Sequence, residues 1–486
     1  MNSDASVAHR TLLDRYLPLI DDPTAFLTSA ATPLPICLWA NPLKTTGPQL
    51  LNQLQGLGLN PQPIPWWPNA FQLQPNFHPG NTLAYMAGWY TVQEAIALAA
   101  VVALAPQPGE CILDLCAAPG GKTAQMAMAV GDSGWVVAND YSAGRLVGLG
   151  DTLNRLGCLN VITTHGNGRN LGLVPGQFDR VLVDAPCSGE GTLRKQAQPQ
   201  PWRPHYSQRI AKVQRDLLAQ ALKLVKPGGV VVYSTCTFAP EENEAIIDGV
   251  LGDLGHLEPA AIAPLIHQPG LTRWQGQDYR TDLRHACRYF PHFNDTGGFF
   301  IARIRRSPNP YPTKVAPLQS PLLPAVSIAP EASLTLLQSR FGLPTACLVN
   351  RLLWATGRSR LWLAERQCIP LLGPLIPQTI GLAIARYERQ GLKPTTAFLQ
   401  RLGPWIRRNH INLEDPATVA TFLEGQPQSI ATDGLESGYV HVRHGPFHLG
   451  CGRYTGGQLQ SQIPKGTVGG SASRLVWAAQ SDPLSR

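Results

Sequence analysis

From Gly109 to about Arg305, short apolar, β-branched runs alternate with longer stretches of helical period, and this alternation leaves few folds open. Cys111 to Leu115, Gly134 to Asn139, Asn160 to Thr164, Phe178 to Val183 and Gly229 to Tyr233 read as strands. Lys122 to Val130, Ser142 to Leu156, Gln208 to Val225 and Glu241 to Leu251 read as helices. Strands that alternate with helices build right-handed βαβ units and a mostly parallel sheet, so the expected class is α/β with a Rossmann-like, doubly wound core. Arg288 to Phe290 and Gly298 to Ile304 are extended runs suited to closing that sheet antiparallel.

Ligands of such sheets bind beyond the carboxyl ends of the strands, so the residues there carry the functional signal. Two of them are cysteines: Cys187 in Asp184-Ala185-Pro186-Cys187 and Cys236 in Ser234-Thr235-Cys236-Thr237, each just after a strand. One thiol in such a place is usually packing; two beside an aspartate and a glycine-rich turn point to chemistry. The turn is Asp114-Leu115-Cys116-Ala117-Ala118-Pro119-Gly120-Gly121-Lys122-Thr123, joining the first strand to the first helix. Small residues there let backbone N–H groups and the helix amino end approach a carboxylate or phosphate. Its Gly121-Lys122-Thr123 ending imitates a phosphate-binding loop, but Cys116 stands where the first glycine is required, and there is no G-x-G-x-x-G. A nucleotide hydrolase or a nicotinamide enzyme is thereby disfavoured.

Asp140 ends the second strand about twenty residues after the glycine turn, where an acid accepts hydrogen bonds from a ribose. The alternative for Asp140 is a cap for the helix that follows. A carboxylate-holding turn plus a ribose-holding acid describes S-adenosylmethionine as well as a dinucleotide, and the thiols favour the former. Carbon 5 of cytosine is a poor nucleophile; addition of a thiolate at carbon 6 makes it a good one, which gives covalent catalysis a physical reason. Two thiols beside Asp184 can divide addition and release, with Asp184, protonated or sharing a proton with the base, holding the ring nitrogen N3 and Lys122 setting local charge.

The ordered set of CAAPGGKT at 116–123, Asp140, Asp184-Ala185-Pro186-Cys187-Ser188-Gly189 and Thr235-Cys236 followed by Glu241-Glu242-Asn243-Glu244 resembles the RNA 5-cytosine methyltransferases of the Nol1/Nop2/Sun (RsmB/NOP) family, within it the bacterial ribosomal-RNA branch. The resemblance implies a class I methyltransferase sheet and S-adenosyl-L-methionine as cofactor. It implies Cys236 as nucleophile and Cys187 as the residue that assists release, with Asp184 and Lys122 beside them. Cofactor contacts are implied at Cys116, Ala117, Ala118, Pro119, Gly120, Gly121, Lys122, Asp140, Asn167 and Asp184, with no metal; Asn167 stands where the family commonly has an aspartate. Asn41-Pro42-Leu43-Lys44, Gly88 to Glu94, and Pro291-His292 with Gly297-Gly298-Phe299-Phe300 are similar to further family elements, and residues 438–466 look like a PUA-type RNA-binding domain.

Charge supports a polyanionic partner. The net charge is +8, and the residues from 311 onward hold 17 Lys and Arg against 9 acids, while the first 310 balance at 23 each. A basic module joined to a neutral one suits phosphate contacts. RNA is therefore the expected partner, ribosomal RNA of the small subunit first and transfer RNA as the alternative, with no DNA or membrane and the chain a monomer. A catalytically silent RNA-binding assembly factor is the remaining alternative class. Ten singly spread cysteines and the absence of a secretory pattern suit a reducing cytoplasm. Ala95 to Pro106, the longest apolar stretch, falls short of a bilayer span and reads as a buried helix.

The expected organisation is an amino-terminal α/β module at 1–84, a methyltransferase domain at 85–306, a proline-rich linker at 307–330, an intermediate domain at 331–408 and a PUA-like, β-rich domain at 415–478. The first module is expected to hold a helix over Ala8 to Ile20, an extended segment at Ile36 to Asn41 and a helix near Pro48 to Leu57. Trp66 and Trp67 read as an apolar seam between domains rather than a base-stacking platform. Arg194, Lys195, Arg203 and His205 read either as guides for RNA phosphates or as a solvated loop. Cys111, Cys158, Cys287 and Cys347 read as packing.

Overall fold

The computed structural model describes residues 15–195, 204–308, 327–328, 331–356, 360–367, 377–389, 391–431 and 434–464. Most of the expected linker, and the expected first helix up to residue 14, lie outside them; Leu17–Leu19 forms a 3-10 turn where that helix was to end. Among the described residues no helix is long and apolar enough to cross a membrane.

The centre is a ten-stranded mixed sheet. Its elements, in chain order, are α1 (Ala95–Leu104), β1 (Cys111–Asp114), α2 (Gly121–Val130), β2 (Trp135–Asp140), α3 (Ala143–Leu156), β3 (Val161–His165), β4 (Phe178–Asp184), α4 (Pro204–Leu224), β5 (Val225–Thr235), α5 (Glu244–Leu251), β6 (Gly255–Glu258), β7 (Cys287–Tyr289), β8 (Phe299–Arg306) and β9 (Pro377–Ile380). The strand order runs β7-β8-β5-β4-β1-β2-β3-β9, with Gln268–Pro269 beyond β7 and β6 also paired to β8. Pairs among β1 to β5 are parallel, and β8 closes antiparallel on β5, as expected. The order reverses between β1 and β4, so a ligand crevice opens where Asp114 and Asp184 end those strands.

The two-residue period of the strands sorts their side chains to two cores. Leu113, Val137, Val181, Val183, Val231 and Tyr233 meet α4 and α5 on one face. Ile112, Val136, Ala138, Leu182, Val230 and Val232 meet α1, α2 and α3 on the other. Helix α1 is apolar all round and accordingly buried, as the sequence required.

The amino-terminal module is a four-stranded sheet built around Ile36–Ala40, with the helix Gly47–Gly56. The Asn41 to Lys44 element ties this module to the catalytic sheet through the end of α3. The Asn41 amide donates to the carbonyls of Gly88 and Leu156 (both 2.8 Å), and Lys44 Nζ to those of Ala87 (2.9 Å) and Arg155 (2.6 Å). These are orphan acceptors of a helix terminus, satisfied here from a distant segment. Trp66 donates to the Ala95 carbonyl (3.2 Å) and Trp67 meets Trp39 edge-on, which makes the pair a seam against α1.

Two five-stranded sheets follow. The first, around Arg351–Thr356 and Arg360–Glu365, sends Trp354 and Trp362 into the catalytic core. The second, around Gly438–His444 and Phe447–Thr455, shares a core with the amino-terminal module, with the Trp89 and Phe447 rings 4.7 Å apart. Between the strands Arg360–Glu365 and Leu382–Glu388 of the first sheet, β9 leaves to pair antiparallel with β3 at the outer edge of the large sheet. Arg194, expected to face RNA or solvent, does neither. It is buried, paired with Asp295 (2.6 Å), and it donates to the carbonyls of Thr32 and Thr296 (both 3.0 Å). Lys195 beside it is exposed, Arg203 lies outside the described residues, and nothing is described of the His205 side chain.

Candidate active site

The loop between β1 and α2 carries two glycines against which neighbouring side chains pack closely. Gly120 lies at φ +104°, and a Cβ there would sit 2.7 Å from the Leu149 side chain; at Gly121 it would sit 2.7 Å from Gln93 Oε1. Gly120 caps α2 without a side-chain bond, so the first amides of that helix stay open to a ligand. Behind the loop, Asp114 is fully buried; its Oδ2 accepts from the Thr123 hydroxyl (2.6 Å), and its Oδ1 has no hydrogen-bond partner within 3.5 Å among the described residues.

Burial pushes the Asp114 carboxyl from 3.8 up to about 7, with the Thr123 hydrogen bond opposing and Asp184 reinforcing the shift. Such an acid is neutral in both states below pH 4; as pH rises towards 7 the unfolded chain ionises and the folded one resists. Stability relative to Asp114→Asn is therefore expected to fall between about pH 4 and 7, by up to about 4 kcal/mol, and to level off above. Urea unfolding of both proteins across pH 4 to 8 measures it, and a flat difference would show that Asp114 is not a neutral acid.

Asp140, at the end of β2, accepts from the amides of Ala118 (3.1 Å) and Ser142 (2.9 Å). It is not the cap of α3: Ser142 is, its hydroxyl accepting from the Arg145 amide. Cys116, Ala118, Asp140, Asn167 and Asp184 line one cavity of about 540 Å³, together with the exposed Tyr141 and both Cys187 and Cys236. Ala117, Pro119, Gly120, Gly121 and Lys122 instead face a cleft of about 650 Å³ between the loop and the amino-terminal module, which Cys116 and Asp184 also reach. The Asn167 side-chain oxygen is occupied by the backbone amide (3.2 Å) and Nε (3.1 Å) of Arg169.

A third, smaller cavity of about 150 Å³ holds the volume of about five waters, that of one small ring. Lys122, Asp184, Cys236, Gly298 and Phe299 line it, and Lys195 stands at the boundary it shares with the cleft. Asp184 and Cys236 thus face both the ring-sized cavity and the 540 Å³ cavity.

The two sulfurs are 3.2 Å apart. They meet because β4 and β5 are parallel neighbours in register, Asp184 opposite Ser234. Asp184 Oδ1 accepts from the Ser234 hydroxyl (2.9 Å) and Oδ2 from Lys122 Nζ (2.6 Å). Against burial, the Asp184 carboxylate holds the Lys122 ammonium above its ordinary value. The hydrogen bond from Cys187 holds the Cys236 thiol below its ordinary value, with Lys122 and Lys195 helping against burial and Asp184. Cys187 is pushed well above by donating that bond, by burial and by Glu242. Of the two sulfurs, Cys236 is therefore the one that more readily gives up its proton, and so the better placed nucleophile.

The sequence reading placed Glu241 to Asn243 in a helix. The structure starts α5 at Glu244 and buries Glu242, Asn243 and Glu244 around the cysteine loops, with Glu244 paired to Arg288. Gln214 of α4, which contacts the same loop through Pro186, was not legible as a site residue.

Residues 101–305 match the model of the 16S rRNA methyltransferases RsmB/F. Residues 12–95 match the N-terminal domain of 16S rRNA methyltransferase RsmF, and 408–468 the methyltransferase RsmF PUA domain. The ribosomal RNA small subunit methyltransferase F of Aeromonas hydrophila is 31% identical over 470 residues, covering 91% of this chain and 93% of that protein. A mouse 28S rRNA (cytosine-C(5))-methyltransferase is 39% identical over 295 residues, 59% of this chain but only 37% of its own length. A crystal structure of a methyltransferase homolog from Pyrococcus horikoshii superposes with a TM-score of 0.55 at 32% identity, over 63% of this chain and 100% of that one. With a catalytic sheet of class I methyltransferase order, paired thiols at its carboxyl edge and full-length similarity of this kind, the chain belongs to the ribosomal RNA small subunit methyltransferase F family.

Proposed function

We propose that this chain methylates carbon 5 of a cytosine in small-subunit ribosomal RNA, with S-adenosylmethionine as donor and a transient bond between Cys236 and carbon 6 of the base. The observation that supports it most is the placement of Cys236, 3.2 Å from Cys187 and facing both a ring-sized cavity and a cofactor-sized one.

The residues fit the donor. A cavity of about 540 Å³ is within the size range of small-molecule sites, and the Asp140 carboxylate in its wall suits ribose hydroxyls. The unpaired buried oxygen of Asp114 and the open amides of α2 suit the amine and carboxylate of an amino acid. Asn167 lines the same cavity, and its amide group suits an adenine edge. When bound, S-adenosylmethionine supplies an electrophilic methyl carbon.

The chain's own residues do the rest. The Cys236 thiolate forms a bond to carbon 6, and the electrons of the carbon 5–carbon 6 double bond make carbon 5 nucleophilic. The proton that Cys187 held leaves to solvent at this stage. Lys122 and Asp184 line the base cavity; Asp184, sharing a proton with the base, would hold N3, and Lys122 would offset the charge that builds on the ring. Once carbon 5 carries the methyl group, Cys187 takes its remaining proton. The double bond re-forms and the carbon–sulfur electrons return to Cys236, so one proton is released per turnover.

Purified protein with isotopically labelled S-adenosylmethionine is expected to label 16S ribosomal RNA, free or in assembled small subunits, at one cytosine located by bisulfite sequencing. Label on transfer RNA alone would transfer the reading to that substrate, and no label on any RNA would refute it.

A further inference from the structure

Two adjacent buried residues, Glu242 and Asn243, each hold the segment around one of the cysteines. The Glu242 carboxylate is fully buried; its Oε2 accepts from the backbone amide of Ser188 (3.0 Å) and from Gln214 Nε2 (3.0 Å), and its Oε1 from the Ser207 hydroxyl (2.7 Å). Gln214 Nε2 also donates to the Pro186 carbonyl (2.9 Å). The residues before and after Cys187 are therefore both gripped by this pair. Asn243 does the same for Cys236: its Oδ1 accepts from the Thr235 hydroxyl (2.6 Å), and its Nδ2 donates to the Thr237 carbonyl (3.0 Å). The Tyr233 hydroxyl donates to the Glu242 carbonyl (2.6 Å), which anchors the dipeptide to β5.

We propose that Glu242 and Asn243 are positioning residues with separate duties, Glu242 setting Cys187 for the release step and Asn243 setting Cys236 for the attack step; this rests on the covalent reading above. The strand register brings the two sulfurs together, and these two neighbouring residues hold the segments that carry them. A buried carboxylate is costly unless hydrogen-bonded, and no salt bridge to Glu242 occurs among the described residues. Glu242 stands on the Cys187 side of the pair, where it keeps the proton on Cys187 before attack and makes that sulfur the stronger base at release, while Lys122 and Lys195 stand on the Cys236 side. An amide in its place can still accept from Ser188 and Gln214 and can donate to the Ser207 oxygen, so Glu242→Gln separates charge from geometry.

The test uses the full chain, substrate RNA and labelled donor, and reads kcat, KM and the SDS-stable protein–RNA adduct. Glu242→Ala is expected to lower kcat about 10- to 100-fold with KM nearly unchanged, and to accumulate adduct, because attack proceeds and release is slowed. Asn243→Ala is expected to lower kcat by a similar factor with less adduct, and to slow adduct formation in the Cys187→Ala background. Glu242→Gln is expected to keep most of the turnover while Cys187 becomes alkylated by iodoacetamide at lower pH. If an alanine variant does not fold, Glu242→Gln and Asn243→Asp serve instead; the aspartate keeps the acceptor for Thr235 and loses the donor to Thr237. Adduct moving the same way in both variants, or single-turnover rates unchanged while melting temperature falls, would overturn the inference. Cys236→Ala run in parallel separates the two readings: turnover there sinks the covalent route, whereas cysteine variants that behave as described beside Glu242 and Asn243 variants that do not divide sink only this one.

Discussion

Replacing Cys236 by alanine is expected to lower methyl transfer by about 10⁴- to 10⁶-fold while leaving cofactor and RNA affinity within a few-fold of the original. The size follows from what the thiolate does: without addition at carbon 6, carbon 5 has no electron pair to offer. Serine is expected to rescue little. Its hydroxyl has a far higher pKa, and the Cys187 hydrogen bond and the two lysines that favour a thiolate at 236 do not bring an alkoxide within reach. Methyl transfer and equilibrium binding measured on the same preparation check this, and turnover within tenfold of the original would remove Cys236 as nucleophile.

Cys187→Ala has the opposite signature. The nucleophile and the Lys122–Asp184 pair remain, so attack and methylation proceed, but no group 3.2 Å from the reacting sulfur is left to take the carbon 5 proton. Multiple turnover is expected to fall about 10²- to 10⁴-fold, the usual worth of a positioned acid or base, while a protein–RNA band stable to SDS accumulates. Gel electrophoresis with labelled RNA detects it, and adding Cys236→Ala should abolish the band. A single variant that neither traps RNA nor slows would show that Cys187 has no part in release.

The order of strands and helices was legible because each strand is an apolar run bounded by glycine, proline or polar turns. The ends were less so. β5 begins at Val225 and includes Lys226-Pro227-Gly228-Gly229, which reads as a turn; the register shift opposite, between Phe178 and Arg180, takes up the irregular residues inside the ladder. α5 begins three residues later than its helical period suggests, because Glu242 and Asn243 spend their side chains on the cysteine loops. The two cysteines, Asp140 and Asp184 were legible from their places after strands. Arg194 was not: its polarity suits a surface, and only carbonyls from segments around residues 32 and 296 explain why it is inside. Asp114 stood in a motif but gave no hint of its raised pKa, which comes from burial that only the folded sheet supplies. β9 carries a proline and pairs with a strand more than two hundred residues earlier, so no local pattern announces it.

That late strand changes what the catalytic sheet is in solution. Without it, β3 would present a row of unpaired N–H and C=O groups along an outer edge, a template on which a second chain could add its own strand. With Pro377–Ile380 laid along β3, and Pro377 unable to extend the ladder through its nitrogen, that template is closed by the protein's own polypeptide. The part of the chain that follows the methyltransferase core thereby covers the β3 edge with a short, proline-bearing strand.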